Sequence, residues 1–389
     1  MGNYIASNAN RFYVAAETIY GQAASISSSN RFPAVRLQAQ QLLAPGRRLD
    51  KTGTRTFLGT PTTARRQTAF EARTYLTSWS GSSEPSYGPL FQAALGAQPN
   101  LSSGLSVASV QNNTQIQTTI AHGLSFGSGV SYSGEIRFVT SVIDASTFTV
   151  NAPFTNTPAA NAALSPCITY PLAIALPSLT LYDYWDPVTA VSRVITGAAV
   201  DTFALSVDGD FHEFVFRGPA CDLLDSSSFI SGAAGLSTFP VEPTLTTFDY
   251  SIVPGHLGEA WLGSAPNQFF TLTGANIEVN NNIDVRNQEF GSSYPRAIAP
   301  GMRQVASTFA LFAQDDAQTT ALYAAAKERA PVSAMLQLGQ QQGQLMAVFM
   351  ATVTPEIPNY DDSETRLQWA FKNNLAQGTS ENEIYIAFA

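Results

Sequence analysis

The stretch RRQTAFEARTYL, Arg65–Leu76, decides how this chain is read. Its residues alternate, with Phe70, Thr74 and Leu76 on one parity and Gln67, Ala69, Glu71 and Arg73 on the other. A period of two is that of a strand with one buried face. The alternation predicts Phe70 and Leu76 toward a core and Glu71 and Arg73 away from it. Far downstream, MRQVASTFALFA, Met302–Ala313, carries the same Arg-Gln start and the same alternation. Gln67, Ala69 and Glu71 align with Gln304, Ala306 and Thr308, and Phe70 and Thr74 align with Ser307 and Leu311. The pairing predicts one strand occurring in each of two similar modules.

The surroundings repeat as well. From Phe32, FPAVRLQAQQLL alternates, predicting a strand with Val35 and Leu37 on one face and Arg36 and Gln38 on the other. A turn-rich stretch containing Arg47, Arg48, Lys51 and Arg55 leads into Arg65. EPSYGPLFQAALG then predicts a short helix, with Pro89 near its start and Gly96 past its end. Val200, Phe203, Leu205 and Val207 precede Asp208-Gly209, and Phe211, Phe214 and Phe216 follow, which predicts a hairpin. In the second half come a strand in FFTLTGANIEVNNN, an extended loop over 283–300 and the Arg303 strand. DDAQTTALYAAAKERAP follows as a helix capped by Asp315 or Asp316, with Lys327 and Arg329 at its end. SAMLQLGQQQGQLMAVFMATV predicts a further hairpin, and TRLQWAFKNN and NEIYIAFA predict closing strands. The order strand, loop, strand, helix, hairpin thus occurs twice.

These patterns predict a mainly β fold with a few short helices. The expected division is an N-terminal arm (1–31), a first module (32–96 with 171–218), an inserted β-domain of short strands (97–170), a connector (219–268) and a second module (269–389).

The charged fraction is 13%, about half of the usual ~25%. Net charge is −9, yet residues 1–99 hold ten Lys and Arg against four Asp and Glu. A chain that is acidic over the rest of its length lacks the concentrated positive charge of a sequence-reading nucleic-acid binder. The asymmetry suits head-to-tail association, a basic face of one copy meeting an acidic face of the next. Cys167 and Cys221 form no disulfide framework and are expected as free thiols in a reducing compartment. No signal peptide is evident at the N-terminus and no apolar run approaches membrane-spanning length.

Little in the residues points to catalysis. Gly123-Leu124-Ser125-Phe126-Gly127 fits G-x-S-x-G, but the nucleophile elbow needs a strand before it and a helix after it, and here it lies among turn residues. His122, His212 and His256 lack metal-ligand spacing, and His212 is expected on the surface of a hairpin strand. Asp208-Gly209-Asp210 lacks the rest of a calcium loop, and the acidic run Asp361, Asp362, Glu364 is expected as a solvated or assembly-facing loop. Asn112-Asn113-Thr114 is a sequon without a secretory context. The expectation is a non-enzyme with no catalytic, cofactor-binding or metal residues.

The segments NRFYVAAETIYGQAA, NRFPAVRLQAQQ, RTYLTSW, GPLFQAALG and NNIDVRNQEFGSSYPRAIAPGMRQVASTFALF resemble the tail tube proteins of long-tailed bacteriophages. The resemblance covers most of 3–96 and 171–389 and leaves the insert aside. It implies that each module is a β-sandwich with a flanking helix, and that six modules close a ring whose inner sheets form a continuous barrel. With two modules per chain the ring would be a homotrimer of pseudo-hexameric symmetry. Rings would stack head to tail in the virion tail, after assembly in the host cytoplasm. Tail terminator, tape measure and distal tail proteins would be partners, and DNA would pass through without sequence-specific binding; no membrane is implied. A non-sticky lumen calls for acidic or neutral polar groups, so Glu71, Arg73 and Thr308 become candidate lumen-facing residues. Arg47, Arg48, Lys51 and Arg55 become candidate ring-stacking residues, and the insert is expected to project from the tube. Alternatives are another virion structural protein, such as a decoration or baseplate component, or a glycan-binding tail protein acting through the insert.

Overall fold

The computed structural model describes the whole chain except residues 1–3, 47–48, 52, 58, 60–63, 80–82, 208, 246–249, 264–266 and 364. It is mainly β, with two short α-helices. The first half runs β1 (Asn10–Ala16), β2 (Arg31–Phe32), β3 (Ala34–Pro45), β4 (Ala64–Tyr75), α1 (Gly88–Leu95) and β5 (Asn100–Ser102). Five strands follow, β6 (Val107–Gln111), β7 (Gln115–Thr118), β8 (Gly129–Tyr132), β9 (Glu135–Val142) and β10 (Thr147–Val150). Then come β11 (Cys167–Tyr170), β12 (Leu179–Trp185), β13 (Arg193–Ala198), β14 (Thr202–Val207), β15 (His212–Ala220) and β16 (Asp222–Asp225). The second half begins with β17 (Gly258–Gly263), β18 (Asn267–Gln268), β19 (Leu272–Asn280), β20 (Asp284–Val285), β21 (Ile298–Ala299) and β22 (Gln304–Phe312). It ends with α2 (Ala317–Glu328), β23 (Val332–Leu338), β24 (Met346–Thr354), β25 (Asn359–Asp361), β26 (Gln368–Ala376) and β27 (Tyr385–Phe388).

One pairing pattern occurs twice. An outer sheet has the order β2-β1-β12-β13-β16, and its counterpart runs β18-β17-β23-β24-β27. An inner set has the order β3-β4-β15-β14, and its counterpart runs β19-β22-β26-β25. The helix follows β4 in one half and β22 in the other. The repeated unit is therefore longer than the sequence reading. The expected arm over 1–31 contains β1, where Phe12, Tyr13, Val14 and Ala15 are all buried. A strand covered on both faces has no alternation to betray it. The expected connector over 219–268 likewise contains β16 and β17. The hairpin β23–β24 corresponds to β12–β13, and β14–β15 corresponds to β25–β26. The two hairpins read from sequence as equivalent are thus not the matching pair.

The core lies between outer and inner strands. Leu37, Phe70, Phe203, Phe214 and Phe216 from the inner strands meet Val14, Leu179, Leu181 and Ile195 from the outer sheet. Val35, expected beside Leu37, is exposed, because the β3–β4 register shifts between Ala34 and Arg36 and turns it outward. Helix α1 is deeply buried. Seven of its eight residues are buried, and Phe91 lies 5.1–5.9 Å from the rings of Phe203, Phe214, Phe216, Tyr170 and Phe388. Its end is set by Gly96, left-handed at φ 99°, a conformation that favours glycine. Helix α2 buries only Thr319, Leu322 and Ala326 and is capped by the Asp316 carboxylate, which accepts from the Thr319 N–H.

Each outer sheet has a second cover. Residues of the 226–257 segment, Phe229, Leu236 and Phe239 among them, pack over Tyr13, Tyr182, Tyr184 and Val194. The five-stranded sheet β6-β7-β10-β9-β8 has its own core around Val107, Ile116, Val139 and Phe148. It lies against the other outer sheet: Phe138 stacks on Phe349, and the buried Arg137 guanidinium sits 4.0 Å over Trp261. This explains why β23 is buried on both parities, Leu336 facing the main core and Met335 facing the insert.

Inner and outer layers also touch through their backbones: β24 pairs with β26 at Val353↔Ala376 and Thr354↔Leu375, and in the first half the Ala199 N–H donates to Pro219 O. A Cβ on Gly218 would stand 1.9 Å from the Ala199 carbonyl oxygen. Gly218→Ala is expected to force a backbone shift costing about 1–3 kcal/mol, read as a lower urea midpoint at unchanged slope.

Candidate functional site

The two inner sets join edge to edge. β14 pairs antiparallel with β19 from Thr202↔Asn280 to Val207↔Ala275, giving the continuous order β25-β26-β22-β19-β14-β15-β4-β3. One face of this surface is the core. The other is polar, because alternation sends Gln38 of β3, Glu71 of β4, Glu213 of β15, Ser206 of β14, Asn276 of β19 and Thr308 of β22 to the same side. Glu71, Arg73 and Thr308 therefore share a face, as their parity implies, though Thr308 belongs to the other half.

Around Glu71 the charges are paired. One carboxylate oxygen accepts from Arg73 Nε at 2.7 Å and the other from Arg217 Nε at 2.6 Å. Arg73 also reaches Glu213 at 3.3 Å. The Arg217 hydrogen bond, with Arg73 adding to it, holds the Glu71 carboxyl below its usual range. Arg217 and Glu213 were not among the sequence candidates. Their signal is the alternation of Glu213, Val215 and Arg217 against Phe214 and Phe216 in β15.

The two ends of this surface differ in charge. Thr68 near the start of β4 pairs with Ala220 at the end of β15, and Tyr75 pairs with Glu213 near its start. The described residues between β3 and β4 and the 281–303 loop thus lie at one end, and Asp210, Asp315, Asp361 and Asp362 at the other, all four exposed. Lys51 and Arg55 are exposed in the first loop; Arg47 and Arg48 lie outside the described residues. The second loop is held by its own chain. Arg66 N–H donates to Ser293 O at 2.8 Å, Arg65 donates to Gln288 O, and the Arg66 guanidinium covers the Tyr294 ring.

The outer edges are unlike the internal joint. Among the described residues β3 pairs only with β4, and β25 only with β26. With β4 superposed on β22 at Glu71 and Thr308, the cross-strand registers make Ala39 the counterpart of Ile277 and Tyr360 the counterpart of Leu205. Leu205 and Ile277 are opposite one another in the joint and fully buried. Tyr360 is 57% exposed, stacked on Trp369 at 5.6 Å, and Val35 and Leu42 of β3 are exposed as well. No family model matches this chain, and no curated protein matches it.

The remaining candidates are brought into no common site. Ser125 is exposed in a turn, 3.3 Å from Ser128 Oγ, with no helix after it, so the elbow context is missing. His122 is engaged locally, accepting from the Leu124 N–H and lying edge-on to Phe148. His212 is not on the surface: it is fully buried, its Nε2 3.2 Å from Leu257 O, because it shares the parity of Phe214. Among the described residues no group of three or more His, Cys, Asp or Glu is arranged to hold a metal ion. No described helix is long and apolar enough to cross a membrane.

Both cysteines are free. Burial raises the Cys167 thiol strongly and pushes Cys221 up to about 12, so neither yields much thiolate near neutrality. Maleimide labelling at neutral pH is expected to be slow for both in the native chain and fast in denaturant, followed by mass spectrometry.

Proposed function

We propose that the chain is a structural subunit of a bacteriophage tail tube, forming stacked rings around a lumen through which DNA passes. One observation carries this reading: the two repeated units are joined by the strand pair β14–β19, while the corresponding outer edges β25 and β3 stay open. Repeating the same step would set Tyr360 of one copy opposite Ala39 of the next, as Leu205 stands opposite Ile277 within the chain. A large residue against a small one suits a packed joint. A step that recurs in one direction either closes into a ring or runs on as a filament, and closure pairs both open edges of the inner surface. The resemblance favours closure with three chains.

Opposite charge at the two ends supports stacking of one ring on the next, with Arg47, Arg48, Lys51 and Arg55 meeting the acidic end of a neighbour. Glu71, Arg73 and Thr308 would then face the lumen, where Glu71 and Glu213 pair with Arg73 and Arg217 rather than forming an acidic surplus. The insert, packed on an outer sheet, would sit on the outside of the wall. The role is structural rather than enzymatic. Electron microscopy of the purified protein tests it: rings of three chains with pseudo-sixfold symmetry are expected, and a chain that stays monomeric at high concentration would count against it.

A further inference from the structure

The polar face is rich in arginine around Glu71. Arg217 stands directly across from Glu71 in the β4–β15 pair, Arg73 is two residues along from Glu71 on β4, and Arg36 lies directly opposite Arg73 in the β3–β4 pair. Like charges directly opposite one another on a sheet repel. Three arginines on three adjacent strands, the strands themselves roughly 5 Å apart, form the kind of fork-bearing surface that grips phosphate. Glu71 stands between two of them, Arg73 and Arg217: both its oxygens are taken, at 2.7 Å by Arg73 and at 2.6 Å by Arg217. Glu213 adds a second contact to Arg73 at 3.3 Å.

We propose that Glu71 occupies, from within the chain, an anion site built by Arg73 and Arg217, and so excludes the phosphodiester backbone of double-stranded DNA from it. The use of this masking in a virion rests on the tube reading; the masking itself does not. Glu71 binds where a backbone phosphate would bind, each oxygen meeting a different guanidinium. Because the carboxylate is tethered between its two partners, a phosphate must displace an intramolecular ligand of high effective concentration. The consequence is a surface that keeps arginines for sheet packing without becoming adhesive. Without Glu71, a duplex passing over this face would gain at least two charge-assisted contacts per chain.

The test uses the full-length chain and a short fluorescent DNA duplex at low salt. The wild-type chain is expected to bind weakly. Glu71→Gln, which keeps the shape and removes the charge, is expected to tighten binding about tenfold, with the logarithmic salt slope steeper by about two phosphates' worth. Adding Arg73→Gln and Arg217→Gln should return affinity to the wild-type level. A Glu71→Gln chain with a normal thermal melt that binds no tighter overturns the proposal. So does a gain that survives loss of both arginines. If Glu71→Gln does not fold, Glu213→Gln frees only the Nη1 end of Arg73, with Glu71 still on Nε, and should give a smaller gain that Arg73→Gln abolishes; its absence is equally fatal. Imaging the wild-type assembly reports separately on the tube reading. Rings with no gain in Glu71→Gln defeat the masking alone, and a gain without rings defeats the tube alone.

Discussion

Tyr360→Lys is expected to leave the single chain folded and to abolish ring formation. Tyr360 lies on the open strand β25, 57% exposed, and its main contacts are the stacked ring of Trp369 and the tilted ring of Tyr323. Losing a cross-strand aromatic pair costs about 0.2–1 kcal/mol, well within what a domain tolerates. In a ring the same position corresponds to Leu205, which is fully buried in the internal joint. A lysine there would be covered by the next copy without a partner, and burying an unpaired charge costs several kcal/mol. Every joint between chains would carry that cost, so assembly should be lost at any practical concentration. Val188→Lys, at a position 91% exposed and away from both edges, is the control and should assemble normally. Size-exclusion chromatography with light scattering reads both. Normal rings from a folded Tyr360→Lys chain would remove β25 from the interface.

Phe91→Ala is expected to be the most damaging core change, lowering stability by about 3–5 kcal/mol. Phe91 is fully buried at the centre of α1, edge-on to Phe203, Phe214, Phe216 and Phe388 at 5.1–5.3 Å. These partners come from β14, β15 and the last strand, so the void would face several elements and could not collapse around one. Edge-to-face geometry is worth about 0.5–1.5 kcal/mol per pair beyond burial, and truncation forfeits four such contacts. Phe270→Ala, at a position 84% exposed, should shift the urea midpoint little. A Phe91→Ala chain as stable as the wild type would mean that the helix is not where the structure has it.

Much of this fold is legible locally. The alternation in Arg65–Leu76 sends Phe70 inward and Glu71 outward, and β4 has that burial pattern. The same parity in Gln304–Phe312 buries Ser307 and Leu311 and leaves Thr308 on the other side. Pro89, Gly96 and Asp316 mark helix ends in the way their backbone and hydrogen-bonding chemistry dictates. The failures are as physical as the successes. β1 was hidden because all of Phe12–Ala15 is buried, so its period is absent. His212 was misplaced outward because histidine is amphipathic, while its parity with Phe214 decides its burial. Val35 was misplaced because one bulge reverses the face of every residue before it.

The charged group at Glu71 divides the same way. Its direction follows from period two, yet its partner Arg217 is 146 residues distant, and no local pattern couples them. Sequence alone determined which residues of β4 and β22 face inward, where the helices begin and end, and that these two stretches of the chain are alike. The tertiary structure decided which strands are neighbours: the joint of β14 with β19, the open edges at β3 and β25, the docking of the insert on an outer sheet and the burial of α1. The reason is the range of the forces. Side-chain periodicity and capping act within a few residues, whereas strand order is chosen by the burial of large surfaces brought together from distant parts of the chain.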